Sequence, residues 1–127
     1  MSSNIFNWGI IGTGGIANAF SDDISRLSNH KVSAVLSRNI DNAEKFAAHR
    51  LGCIPYDNNI SFVNDEAIDA VYIATPNTLH CQQTILAIQA KKPVLCEKPF
   101  AMNYDEAFSM ISSSKQNSTA LLDGMWM

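Results

Sequence analysis

Apolar positions fall in short continuous runs that alternate with stretches where they recur every three or four residues. Trp8-Gly9-Ile10-Ile11 reads as a buried strand, and after Gly12-Thr13-Gly14-Gly15 the apolar residues stand at 16, 20, 24 and 27, the spacing of one helix face. Lys31 to Ser37 is a second strand-like run. Asn42 to Leu51 predicts a second helix, with Ala43, Phe46, Ala47 and Arg50 at helical intervals and Asp41 as the capping candidate. Cys53 to Tyr56 predicts a short edge strand, because Pro55 has no amide to give a central ladder, and a short helix over Ser61 to Asn64 follows. Ala70 to Ala74 is apolar throughout and stops at Thr75-Pro76-Asn77, after which Cys81, Ile85 and Ile88 mark a helix ending near Ala90. Pro93 to Cys96 predicts another strand. Asn103 with Glu106 has the form of a capping box; it opens a helix expected to bury Tyr104, Ala107, Phe108 and Ile111, before a last strand over Thr119 to Leu122.

Strands apolar on both faces, alternating with amphipathic helices, predict an α/β fold: a doubly wound parallel sheet of about five to six strands joined by right-handed crossovers. No repeat or linker interrupts the alternation, so residues 1–127 read as a single domain.

Composition narrows the class. A chain of 127 residues has the size of one domain and buries enough surface to be stable without disulfides or a structural metal. With 46% hydrophobic and 17% charged residues it is neither disordered nor collagen-like. The net charge of -3, with basic residues scattered from Arg26 to Lys115, excludes the electrostatic footprint of a nucleic-acid binder. Cys53, Cys81 and Cys96 form no C-x-x-C pair, and no His, Cys and carboxylate spacing suits a metal; reduced thiols in a cytoplasmic protein are expected. Residues 1–7 lack the pattern of a leader, and no apolar run approaches the roughly 18 residues of a membrane span, so no membrane partner is expected.

Gly12-Thr13-Gly14-Gly15-Ile16-Ala17 has the form G-x-G-x-x-A between a strand and a helix. The first glycine permits a tight turn, the second lets the main chain approach a pyrophosphate, and Ala17 allows the helix to pack closely on the strand. Amides and dipole at the helix start then favour phosphate. Glycine turns without nucleotide also occur in α/β proteins, but the strand-turn-helix setting points to a dinucleotide. At the tip of the second strand, where an acid would read the ribose hydroxyls of NAD, stand Leu36-Ser37-Arg38-Asn39. Arg38 can pair with a 2′-phosphate and Ser37 can donate to it, which favours NADP over NAD. The other reading makes Arg38 a solvated surface residue and Asp41 a helix cap.

Glu97-Lys98-Pro99 follows the fifth strand, at the sheet end where open α/β folds bind ligands. Beside a cationic nicotinamide the pKa of Lys98 would be drawn toward neutrality, as proton exchange with a substrate hydroxyl or carbonyl requires; a plain surface charge is the other reading. Thr75-Pro76-Asn77 with His80 marks a further strand-to-helix junction. There Asn77 could cap the helix or touch the cofactor ribose, and His80 could reach the cofactor or pack in the crevice. His30 and His49 read as loop and surface residues.

Gly9 to Ala17, Ala74-Thr75-Pro76-Asn77 with His80, and Cys96-Glu97-Lys98-Pro99-Phe100 together resemble the glucose-fructose oxidoreductase and inositol dehydrogenase (Gfo/Idh/MocA) family, over essentially the whole chain. Ser37-Arg38, Cys96 to Phe100 and Met125-Trp126-Met127 look most like its branch of dihydrodiol and xylose dehydrogenases. The resemblance implies an oxidoreductase that moves a hydride between a nicotinamide dinucleotide and a sugar, polyol or related carbonyl compound. It makes Lys98 the catalytic residue and places Glu97 beside the nicotinamide ribose. Gly12 to Ala17, Ser37, Arg38, Thr75, Pro76, Asn77 and His80 become cofactor-binding candidates. Family members continue into a second α/β domain that supplies most of the substrate pocket. The present chain is therefore expected to be the cofactor half, inactive alone and prone to self-association, or else a non-catalytic dinucleotide-binding sensor.

Overall fold

The computed structural model describes residues 5–97 and 101–123. Within them strands and helices alternate: β1 (Phe6–Ile11), α1 (Gly15–Ser25), β2 (His30–Leu36), α2 (Ile40–Ala48), β3 (Ile54–Tyr56), α3 (Asn59–Val63), β4 (Ala70–Ile73), a 3-10 turn (Asn77–Leu79), α4 (His80–Gln89), β5 (Val94–Cys96), α5 (Tyr104–Gln116) and β6 (Leu121–Asp123). All strand pairs are parallel, in the order β3-β2-β1-β4-β5-β6. The chain winds outward from β1 to β3, crosses back to place β4 beside β1, and winds outward again to β6. Strand order therefore reverses between β1 and β4, which opens a crevice at their carboxyl ends. Pro55 lies on the edge strand β3, as its missing amide demands.

Side-chain alternation splits the core in two. Ile10, Val35 and Tyr72 point to one face, where they meet Ala17, Phe20 and Ile24 of α1 and Ala43 and Phe46 of α2. Their neighbours Ile11, Leu36 and Ile73 point to the other, against Phe62 of α3, Ile88 of α4 and Met110 of α5.

Several local expectations are corrected. In α1 the buried stripe is Ala17, Phe20, Ser21 and Ile24, while Ile16 and Leu27 are 55% and 48% exposed. The cap of α2 is Asn39, whose side chain accepts from the amides of Asp41 and Asn42, so Asp41 sits inside the first turn. Arg50 lies beyond α2 rather than on its buried side. It reaches back across α1, donating to Ser21 Oγ (2.5 Å), Asn18 Oδ1 (2.9 Å) and the Phe46 carbonyl (2.7 Å). His30 begins β2 and accepts the Trp8 indole N–H at Nδ1 (3.1 Å). In α4 the fully buried face is His80, Thr84, Ala87 and Ile88, with Cys81 and Ile85 at its margin.

The largest correction concerns α5. Tyr104, Phe108 and Ile111 are 79%, 60% and 45% exposed, whereas Met110 and Ser113 are buried. The helix carries two stripes at helical spacing, and the one with smaller side chains faces the sheet because a wide stripe would hold α5 away from α4. The capping box forms in a shifted version: Asn103 accepts from the Glu106 amide (2.9 Å), and Glu106 accepts in return from the amide of Met102, one residue early.

Candidate functional site

The ends of the central strands are tied together past their last ladder residues. The amide of Gly12 donates to the Leu36 carbonyl (2.9 Å), that of Ala74 to Ile11 (2.9 Å), that of Glu97 to Ile73 (3.0 Å) and that of Ser37 to Tyr56 (3.1 Å). Each residue that leaves the sheet toward the crevice therefore starts from a held position. A cleft of about 240 Å³ lies where strand order reverses.

Gly12 forms its floor. Its φ is +116°, and a Cβ there would stand 2.8 Å from the carbonyl oxygen of Ala74, so the residue must be glycine for two independent reasons. Gly14 is the N-cap of α1 with no side chain bonded to the helix start, and a Cβ on Gly14 or Gly15 would meet nothing within 4 Å. Asn18 Nδ2 ties the Gly14 and Thr13 carbonyls to α1 (2.9 and 3.3 Å). Open space thus faces the positive end of a helix whose first amides are uncapped, and this cradle fits a pyrophosphate. Ala17 is fully buried against the sheet, whereas Ile16 is turned outward.

One wall comes from the end of β2. Ser37 and Arg38 line it, and the Ser37 hydroxyl oxygen accepts from the Asn39 amide (3.2 Å), which leaves its O–H to donate. Arg38 is exposed, and among the described residues no carboxylate pairs with it. The opposite wall comes from the end of β4. Thr75 and Pro76 line it, and Thr75 Oγ1 donates to Gln83 Oε1 (2.5 Å). His80 is 1% exposed, with Nε2 2.7 Å from the Thr75 carbonyl, and so lies beneath the wall rather than on it. Asn77 belongs to the 3-10 turn, and the N-cap of α4 is Leu79. Asn42, Asn59, Leu79 and Gln83 also line the cleft. Nothing in their spacing marks them; they arrive because α2, α3 and α4 all start at this end of the sheet.

Glu97 leaves β5 one strand farther along. Its carboxylate accepts the hydroxyl of Tyr72, a residue of β4 that is 2% exposed. Burial, then the hydrogen bond and charge of Glu97, push the Tyr72 phenol well above the ordinary range. The single polar side chain in the run Ala70-Val71-Tyr72-Ile73 was the signal available for it. Lys98, with Pro99 and Phe100, lies outside the described residues, as does Met125-Trp126-Met127.

Residues 6–124 match the model of the Gfo/Idh/MocA oxidoreductase family with its NAD-binding Rossmann fold. The chain belongs to this family. It is 36% identical over 121 residues to the scyllo-inositol 2-dehydrogenase (NADP(+)) of Bacillus subtilis, covering 95% of this chain and 37% of that protein. It is 35% identical to the trans-1,2-dihydrobenzene-1,2-diol dehydrogenase of Danio rerio, covering 94% and 36%. A 3-ketoreductase from Actinomadura kijaniata, solved with NADP and TDP-benzene, superposes with a TM-score of 0.88 at 26% identity, covering 95% of this chain and 37% of that one. The chain thus spans little more than a third of the length of the relatives it matches. The expected α/β sheet and the family resemblance are borne out, with six parallel strands in the Rossmann order. No helix among the described residues is long and apolar enough to cross a membrane.

Proposed function

We propose that this chain binds NADP in preference to NAD and forms the cofactor-holding part of an oxidoreductase acting on a sugar, polyol or diol and the corresponding carbonyl compound. The observation that carries the reading is one cleft in which the Gly12-Thr13 turn, directly before the uncapped start of α1, meets the Ser37-Arg38 end of β2, with no acid at that strand's tip. The amides at Gly14 and Gly15 would hold the pyrophosphate, Arg38 and Ser37 the 2′-phosphate, and Thr75, Pro76 and Asn77 the middle of the dinucleotide. His80 acts from below by holding the Thr75 carbonyl. When bound, the nicotinamide supplies the hydride site.

Glu97 faces the nicotinamide ribose, and Lys98, next in sequence, moves the proton of the substrate oxygen; its ammonium is the group of this motif able to donate and recover a proton. Residues 1–127 act as one dinucleotide-binding domain, and the remaining substrate contacts come from outside them. Relatives named for inositol and dihydrodiol oxidation support the substrate class. The exposed stripe of Tyr104, Phe108 and Ile111 favours self-association of the polypeptide on its own.

Titration calorimetry with NADP and NAD, on the parent and on Arg38→Ala at one salt concentration, tests the reading. A charge-assisted hydrogen bond contributes about 1.5–3 kcal/mol, so the variant should lose about ten- to a hundredfold in NADP affinity and leave NAD almost unchanged. Equal affinity of the parent for both dinucleotides, or tighter NAD, overturns it.

A further inference from the structure

Within that reading, we infer that Tyr72 is a positioning residue: from the middle of β4 its hydroxyl fixes the Glu97 carboxylate at the end of β5, so that one carboxylate oxygen is aimed at the ribose hydroxyls on the nicotinamide side of the bound dinucleotide. The inference rests on the proposed cofactor site and adds a residue that touches neither cofactor nor substrate.

Packing does not require the hydroxyl. Tyr72 is 2% exposed and its ring lies flat on Phe20, with centroids 3.8 Å apart and planes at 9°. A phenylalanine would fill that space. Burying a hydroxyl is costly unless it is bonded, and Tyr72 meets the cost by donating to Glu97. Burial also keeps the phenol protonated through the physiological range, so it remains a donor. The bond engages Oε2 of Glu97 and leaves Oε1 to accept from a ligand hydroxyl. Glu97 is restrained from its other side as well, by its amide bond to the Ile73 carbonyl.

The support for Tyr72 leads back to the phosphate cradle. Phe20 lies on α1, whose first residue is Gly15, and its ring also meets Trp8 of β1 edge-on at 5.2 Å. The cradle at the start of α1 and the carboxylate two strands away from β1 thus share one packed unit, in which the distance between the two ends of the cofactor site is set by ring stacking rather than by a loop.

The test compares two ligands that share the adenosine end. NADPH reaches the nicotinamide side; adenosine 2′,5′-bisphosphate does not. In the parent both should bind. Tyr72→Phe should weaken NADPH about tenfold and leave the bisphosphate unchanged, and the double variant with Glu97→Gln should be no weaker than Glu97→Gln alone. Equal binding of NADPH by Tyr72→Phe and the parent overturns the inference, as does an equal loss of both ligands, which would mark a packing defect. Should the variant fold poorly, the Tyr72 ring resonances of the parent decide: a shift on adding NADPH and none with the bisphosphate supports the inference, and no shift with NADPH overturns it. A parent that binds neither ligand refutes the cofactor reading itself, a different outcome from any of these.

Discussion

Gly12 and Gly14 stand two residues apart in one turn, yet replacing each by alanine should damage different things. At Gly12 the backbone has φ +116°, outside the regions open to L-residues, which costs about 1–3 kcal/mol. The new methyl would also stand 2.8 Å from the carbonyl oxygen of Ala74, and Ala74 cannot retreat freely because its amide is bonded to Ile11. Together these give a loss of about 3 kcal/mol, or a fall in Tm of about 12 °C for a domain of this size. At Gly14 the backbone is extended, with φ -83° and ψ -166°, and the methyl meets nothing within 4 Å. Only the weaker N-cap preference of alanine remains, under about 1 kcal/mol. The space entered by that methyl is, however, the approach to the α1 amides. Loss of one charge-assisted bond there should weaken NADP by about ten- to a hundredfold. Thermal denaturation and calorimetry on the two variants separate the effects: Gly12→Ala should lose stability, Gly14→Ala should lose binding at near-parental Tm. A Gly12→Ala protein as stable as the parent would refute the reasoning about the floor, and parental NADP affinity in Gly14→Ala would refute the reasoning about the cradle.

Tyr56 gives a pH dependence with a definite sign. Its hydroxyl donates to Asp65 (2.7 Å), and burial, then that bond and the Asp65 charge, raise its pKa to about 12 from the usual 10. The folded form holds its proton longer than the unfolded chain, so stability is complete below about pH 10 and declines up to about pH 12. Urea midpoints across that interval should fall less steeply in Tyr56→Phe; equal slopes would remove Tyr56 as a contributor. For turnover, nicotinamide reduction by the 127-residue polypeptide should stay at background across aldoses, polyols and diols, since one lysine without a closed pocket cannot hold substrate in line. Turnover that disappears in Lys98→Ala would show that these residues suffice, and would also decide against a non-catalytic sensor.

Strand and helix order was legible because the strands are apolar on both faces, a pattern few other settings produce. Ile10-Ile11, Ala34-Val35-Leu36 and Val71-Tyr72-Ile73 each feed both cores, so every residue of the run is buried and the run stands out. The turn from Gly12 to Ala17 was equally legible, since its chemistry is local. What depended on a neighbour was not. On α5 the stripe Tyr104, Phe108, Ile111 is a better helical face by size than Ala107, Met110, Ser113, yet Met110 and Ser113 are the buried residues, with Ala107 half-buried beside them, because contact with α4 and the sheet selects close approach. Arg50 looked like part of a helix face, but its guanidinium is spent on Ser21, Asn18 and Phe46 across 29, 32 and 4 residues of sequence. Likewise His80 was weighed as a cofactor contact because of its place after Thr75-Pro76-Asn77, and only the packing shows that it supports the wall from below.

The site therefore has two kinds of position, which should respond differently to change. Gly12, Ala74 and Glu97 are held by main-chain hydrogen bonds to neighbouring strands, and Tyr72 by ring packing, so their backbone positions belong to the sheet itself. Arg38 is exposed, has no carboxylate partner among the described residues, and lies past the last residue of β2. Surface substitutions of that kind usually change stability by no more than about 0.5 kcal/mol. On the proposed reading, the floor of the cleft and the Tyr72–Glu97 pair are tied into the sheet, whereas the choice between dinucleotides rests on Arg38 at its rim. If Arg38 and Ser37 hold the 2′-phosphate as proposed, changing the tip of β2 should exchange one nicotinamide dinucleotide for the other, while the cradle, the floor and the Tyr72–Glu97 pair keep their geometry.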